Sequence, residues 1–239
     1  AYQPVVSLAD ASLHHFEALA RFEADASPAD TIRLAEELDM IADFDLTVAR
    51  MVVDVLEAEP ASCRVAVNLS ARSLMMPRFI AAFEGLMISR PALRPRLLLE
   101  VTETQAIKDL DAADAVIQSL RTQGHVVCLD DFGAGAASLD FLRRLNIDIV
   151  KIDGRYVQAL RPKSRDAVVL KHIVALCTDL GMTTIAEMVE THDTANMVRD
   201  LGVELGQGWY YAKPLPRPQW CVTPGLPRAK RLGTVTEWG

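Results

Sequence analysis

Short runs that are apolar at nearly every position alternate along this chain with longer stretches in which apolar residues recur every three or four positions. The short runs fall at residues 2–8, 15–22, 64–69, 96–102, 125–131, 147–152, 183–189 and 206–211. They predict eight strands, several apolar enough to be buried on both faces. The longer stretches predict helices. The clearest covers residues 165–180, with Val168, Val169, Ile173, Leu176, Cys177 and Leu180 assigned to one face and Gly181 as its C-terminal stop. A second covers 44–59, with Leu46, Val48, Met51, Val52, Val55 and Leu56 near helical spacing. Strand–helix alternation implies a parallel sheet. Eight strands in 239 residues favour an α/β fold of the TIM-like (β/α)8 barrel type over an open doubly wound sheet. No glycine-rich dinucleotide loop and no phosphate-binding P-loop follows the first strands, which weighs against the open sheet. No repeat or low-complexity linker divides the chain. It reads as one domain over 1–239, with the barrel in 1–216 and a peripheral tail in 217–239.

The polar residues that interrupt the apolar runs carry the chemistry. Glu17 lies within the second run and Asn68 ends the third. Glu100 and Glu103 end the fourth, Asp130 and Asp131 the fifth, and Lys151 with Asp153 the sixth. Glu187 and Glu190 end the seventh, and Gln207 lies in the last. In a barrel of parallel strands the C-terminal ends form one rim, where active sites are built. Singly, each residue has a plain structural reading: a helix cap for Asn68, a lysine stretched to water for Lys151, a turn for Gln207. Together at one rim they point to a site. His14, His15, His125, His172 and His192 show no ligand spacing and receive no role.

Composition narrows that chemistry. The net charge of -7 argues against a surface that coats a nucleic-acid polymer. Half the residues are hydrophobic, enough for a sizeable core, and no apolar run approaches a membrane span. Cys63, Cys128, Cys177 and Cys221 form no CxxC pair. Three lie in apolar surroundings and read as reduced packing residues, so the domain is expected in the cytoplasm, even if a longer parent protein is membrane-anchored. The chain starts at Ala1, almost at once in a strand-like run, as a module excised from something longer would. Clustered acids repel one another and raise each other's pKa; hard divalent cations relieve this. Carboxylates with one amide and no cysteine or histidine suit Mg2+ or Mn2+ better than Zn2+. Two such ions about 3.5–4 Å apart form a clamp for in-line attack at phosphorus. Adjacent Asp130 and Asp131 could then supply one bridging ligand and one for the second ion.

In this light the chain resembles the EAL-domain family of cyclic di-GMP phosphodiesterases over essentially its whole length. Glu17-Ala18-Leu19 stands as the name-giving triplet, with Arg21 at the EALxR arginine. "YQPVVSL" is similar to the family's opening strand. "NLS" stands at 68–70, "EVTE" at 100–103, "DDFG" at 130–133, "KID" at 151–153, "AE" with "VET" at 186–191, and "QG" at 207–208. The resemblance implies a TIM-like barrel that hydrolyses cyclic di-GMP to linear pGpG with two Mg2+ or Mn2+ ions. It implies that Glu17, Asn68, Glu100 and Asp130 hold the first ion and Asp130, Asp131 and Glu187 the second, with a water between the ions as nucleophile. Lys151, Glu187 and Asp131 take the catalytic roles, Lys151 orienting the water or stabilising charge on the phosphate. Gln3, Leu19, Arg21 and Gln207 match positions that contact the dinucleotide, and Glu17, Asn68 and Asp153 are placed on the substrate side as well. Glu103 matches the glutamate that anchors the loop after the fifth strand, with Glu190 also assigned behind the ligands. The resemblance further implies a homodimer, regulatory domains elsewhere in the parent protein, and inhibition by Ca2+.

Departures from the family pattern leave the proposed ligands intact. Where the family has DDFGTGYSSL this chain has "DDFGAGAASL", with Ala134, Ala136 and Ala137 in place of hydroxyl-bearing residues. Met188 replaces the glycine of AEGVE, and "FEADASPAD" after Arg21 is shorter than the usual stretch. These changes raise a second reading, a weak or inactive EAL domain that serves as a cyclic di-GMP receptor.

Overall fold

The computed structural model describes residues 1–22, 27–102, 109–133 and 138–218. All eight expected strands form and close into a barrel in the order β1 to β8. They are β1 (Tyr2–Ser7), β2 (Leu13–Ala18), β3 (Val65–Leu69), β4 (Leu97–Thr102), β5 (Val126–Phe132), β6 (Ile149–Ile152), β7 (Thr183–Ala186) and β8 (Leu205–Gln207). Around them lie α1 (Pro28–Glu37), α2 (Ile41–Ala58), α3 (Ala71–Leu74), α4 (Pro77–Met87), α5 (Leu110–Thr122), α6 (Ser138–Arg144), α7 (Gly154–Ala159), α8 (Arg165–Asp179) and α9 (His192–Asp200). Side-chain caps start several of them: Ser70 accepts from the Arg72 N–H, Asp153 from Arg155, and Thr191 from Thr194.

The sheet departs from a uniformly parallel barrel at β1, which is antiparallel to both β2 and β8. Only residues 8–12 link β1 to β2, too few for the crossover that a parallel pair requires, so the chain turns back as a hairpin. The strand ends also shift. β2 begins earlier than expected and stops at Ala18, which brings Glu17 from mid-strand to the rim, while β7 and β8 are shorter.

The two strongest helical patterns are real, but their buried faces differ from expectation. In α8 the buried residues are Leu170, Val174 and Cys177, while Val168, Val169 and Leu176, with Leu180 at its cap, are exposed. In α2 the buried stripe runs through Ile41, Leu46, Ala49, Val52, Val53 and Leu56, and Met51 is exposed. Apolar residues occupy so much of the circumference of these helices that periodicity alone does not choose a side. Cys128 and Cys177 are free and buried. Cys63 is disulfide-bonded, which corrects its reading as a reduced thiol; pairing depends on which sulfurs the fold brings together, not on their spacing in sequence. Cys221 lies outside the described residues.

Strand alternation sorts the barrel residues. Outward positions such as Phe16, Val65, Val67, Leu97, Leu99, Val127 and Val150 join the helices in the main core. Inward, Val5, Ala66, Leu98, Cys128, Ile149, Ile185 and Leu205 form a separate apolar cluster contributed by seven strands. That plug is the floor on which the site is built. Among the described residues no helix is long and apolar enough to cross a membrane.

Candidate active site

Two residues beyond six members of the apolar plug, on the same face of the strand or just past its end, stands a polar residue. Ala66 is followed by Asn68, Leu98 by Glu100, Cys128 by Asp130, Ile149 by Lys151, Ile185 by Glu187 and Leu205 by Gln207. β1 runs the other way, so Gln3 takes the corresponding place above Val5. The result is a polar ring at the C-terminal rim of the parallel strands.

Lys151 is at the centre of the ring. Its ammonium is 2.9 Å from Asp130, 3.0 Å from Glu100, 3.0 Å from Glu187 and 3.3 Å from Glu17, and the side chain is 1% exposed. Burial works against its charge, but Asp130, Glu100, Glu17 and Glu187 together hold its pKa well above the usual lysine value. Amides complete the packing. Asn68 donates to Glu17 Oε1 at 2.8 Å, and Gln207 donates to Glu17 Oε2 at 2.6 Å and to Gln3 Oε1 at 3.3 Å.

Two adjacent residues of a regular strand face opposite sides, yet Asp130 and Asp131 both serve the site. The β5–β6 register slips between Leu129 and Phe132, a bulge that re-aims side chains. Asp131 adopts a left-handed backbone at φ 55, which Asp tolerates better than most residues. The turn continues through Gly133 at φ 99, where a Cβ would strike the Tyr156 ring. On the far side, a Cβ on Gly208 would collide with the Val189 backbone, so glycine lets the segment after Glu187 lie against the end of β8.

Carboxylate oxygens of Glu17, Glu100 and Asp130 lie within 4.8 Å of one another, and so do those of Asp130, Asp131 and Glu187. One ammonium offsets these five acids only in part. Burial, then Asp130, pushes Glu187 up to about 8 against the pull of Lys151. Burial and Asp130 likewise push Asp131 to about 6. Glu100 is raised well above the usual range by burial and by Glu17 and Asp130. Burial also opposes the charge on Glu17, but Lys151 and the Gln207 and Asn68 amides bring it below the ordinary value. The buried Oε1 of Glu100 lacks a hydrogen-bond partner. All-oxygen donors, excess negative charge and a carboxylate common to both triads fit a pair of hard divalent cations.

The remaining sequence-predicted residues are arranged more loosely. Leu19 flanks the rim, its N–H donating to the Ala1 carbonyl at 2.7 Å, and exposed Arg21 donates to the Ala20 carbonyl. Asp153 caps α7 and pairs with Arg155 at 2.7 Å. Glu190 is exposed just ahead of the Thr191 cap. Glu103 and the alanines at 134, 136 and 137 lie outside the described residues. Met188, beside Glu187, takes a left-handed backbone at φ 51 and packs its side chain over Gly154.

Sequence reasoning gave His15 no role, yet the structure buries it beneath the ring. It lies two residues before Glu17 on the inward face of β2, pairs with Val5 across the hairpin, and is 1% exposed. Burial drives its pKa well down, as it drives that of His14 to about 4. The signal was the strand alternation, which puts residue 15 inside wherever residue 17 is inside.

A family model described as the EAL domain matches residues 1–214. The chain is 35% identical to the probable cyclic di-GMP phosphodiesterase PdeB of Escherichia coli K12, covering 90% of this chain and 42% of that protein. The chain thus spans less than half the length of this curated relative. Among solved structures, the PaMucR phosphodiesterase in complex with c-di-GMP superposes with a TM-score of 0.80 at 31% identity, covering 90% of each chain. The manganese and cyclic di-GMP complex of Klebsiella pneumoniae BlrP1 gives 0.78 at 30% identity, covering 89% of this chain and 55% of that one.

Proposed function

The chain belongs to the EAL domain family, and from that premise we propose that it is a cyclic di-GMP phosphodiesterase domain that opens the cyclic dinucleotide to linear pGpG. The observation that carries this reading is the pair of carboxylate triads sharing Asp130. Glu17, Asn68, Glu100 and Asp130 would hold one ion, and Asp130, Asp131 and Glu187 the other, with Mg2+ or Mn2+ as occupants. Such a pair polarises the phosphoryl oxygens and provides a strong oxygen nucleophile at neutral pH.

The chain's own residues supply the rest. Lys151 is a fixed, desolvated cation, suited to the charge that develops on the phosphate. Glu187 and Asp131, whose pKa values lie near neutrality, can exchange protons as the ions and substrate arrive. The Gln3, Asn68 and Gln207 amides and Asp153 offer hydrogen bonds to the dinucleotide beside Leu19. Exposed Arg21 suits a phosphate oxygen. A homodimer belongs to the same reading, as does a parent protein carrying regulatory domains, which the greater length of the E. coli relative supports.

Incubation of the domain with cyclic di-GMP and Mg2+ or Mn2+, followed by chromatographic separation, tests the proposal. pGpG accumulates with the native chain and not with Asp131→Ala. Absence of product with both metals at high enzyme concentration overturns the hydrolase; tight calorimetric binding in that case selects the receptor. Ca2+, which accepts looser coordination, supports binding and suppresses turnover.

A further inference from the structure

Seven strands place an apolar residue in the floor beneath the acidic ring; β2 places His15 there. Its Nε2 points at Glu100 Oε1 across 3.8 Å, and both atoms are buried without a hydrogen-bond partner. Its other nitrogen, Nδ1, is 2.7 Å from His14 Nδ1. His14 Nε2 in turn is 3.4 Å from the half-buried Arg64 guanidinium.

These contacts determine where every proton sits. A guanidinium only donates, so His14 Nε2 accepts and carries no hydrogen. An imidazole keeps at least one proton, so that of His14 is on Nδ1. His14 Nδ1–H then donates to His15 Nδ1, which must be bare, and the proton of His15 is left on Nε2. The opposite polarity would set His14 Nε2–H against an Arg64 N–H. Direction is therefore imposed from the outer end, by Arg64.

We infer that Arg64, His14 and His15 form a one-way hydrogen-bond relay that aims an N–H at Glu100 and holds this carboxylate in position to bind a divalent cation. Glu100 then faces the His15 N–H across 3.8 Å at Oε1 and is hydrogen-bonded by Lys151 at Oε2, 3.0 Å from its ammonium. Groups that orient a metal ligand in this way typically change metal affinity about 10–100-fold when removed. His15 is a positioning residue, since it acts through Glu100. The inference rests on the proposed role of Glu100 as a metal ligand, but the relay itself can be judged without metal or substrate.

Two measurements decide it. In the metal-free domain, imidazole 15N shifts at neutral pH are expected to show His15 protonated at Nε2 and His14 at Nδ1. Arg64→Met should lose that single pattern. A native His15 protonated at Nδ1 overturns the relay. In calorimetry with Mn2+, His15→Leu, which completes the apolar floor and so keeps the fold, should weaken binding about 10-fold. His15→Gln, which returns an N–H donor near the Nε2 position, should recover most of it. Equal Mn2+ affinity in native and His15→Leu domains overturns the positioning role. If the native domain binds no Mn2+ at all, the two-ion reading fails, and the positioning role with it, while the 15N shifts still report whether the relay exists.

Discussion

Two rings of side chains line the inside of this barrel, one step of strand alternation apart, and they are stabilised in opposite ways. The lower ring, Val5, Ala66, Leu98, Cys128, Ile149, Ile185 and Leu205, is held by removal of apolar surface from water, which needs no partner and is insensitive to pH or ions. The upper ring gathers Glu17, Glu100, Asp130, Asp131 and Glu187 around Lys151. Taking like charges out of water is unfavourable unless each is paired, and one ammonium cannot pair five acids. The same strands thus carry a self-sufficient floor and an electrostatically incomplete ceiling. The floor lets the ceiling stay incomplete, because a rigid plug keeps repelling groups from moving apart. A site primed for cations follows from that division.

The sharpest way to break the contrast is to remove the central cation. Lys151→Met should abolish measurable turnover and destabilise the metal-free domain by about 3–5 kcal/mol, since buried acids lose their common partner. Mn2+ should restore most of the melting temperature without restoring activity, as calorimetric scans with and without metal would show. If stability is unchanged without metal, the ammonium is not what holds the ring together.

An attack on the floor should behave differently. Leu98 is fully buried, and Leu98→Ala should cost about 2–5 kcal/mol by transfer and cavity terms. In urea titrations this loss should be the same with and without Mn2+. A loss that metal largely repairs would mean that the two rings are not independent.

The contrast also predicts a pH dependence. Folded Glu187 titrates near 8 and Asp131 near 6, against ordinary values of 4.5 and 3.8. Buried His14 and His15, whose values are lowered from 6.5, act in the opposite sense below that pH; between about pH 6.5 and 8 the raised carboxylates dominate, the folded, metal-free state holds more protons than the unfolded chain, and its stability falls as pH rises. The melting temperature should drop from about pH 6.5 to 8, while the increment given by Mn2+ grows, because metal competes with those protons. A metal-free melting temperature that rises over this range would contradict the raised carboxylates.

The smallest effect is expected at the edge of the ring. Met188 holds a left-handed backbone, which costs a non-glycine residue about 1–2 kcal/mol. Met188→Gly should relieve that strain, lose the packing over Gly154, and raise the melting temperature by about 2 °C. Mn2+ affinity should not change. A lower melting temperature would show that the packing outweighs the strain.

Much of this was legible in the sequence because burial on both faces leaves a direct trace. The eight strands stood out as apolar runs, and polar residues at the ends of the third to the seventh marked the rim. Asn68, Glu100 and Asp130 could be placed at strand ends from the one-dimensional pattern. The faces of α2 and α8 could not, since apolar residues surround both helices and the pattern holds no preference for a side. Met51 falls near the helical spacing of buried Leu46, Val52 and Leu56, and Val168 shares its predicted face with buried Cys177, yet both are exposed. The pair at 130 and 131 was legible as two acids, but not as two acids serving one site, because strand alternation alone sends neighbours to opposite faces.

By itself the sequence determined the number and order of the strands, the closed α/β class, and the inventory of acids and amides available at one end. Those depend on local composition, which each segment carries with it. The reversal of β1, the bulge that turns Asp131 towards Asp130, the ammonium at the centre of the acids and the imidazole beneath Glu100 were decided only in three dimensions. Each depends on distances between residues far apart in the chain, and such distances exist only once the barrel has closed.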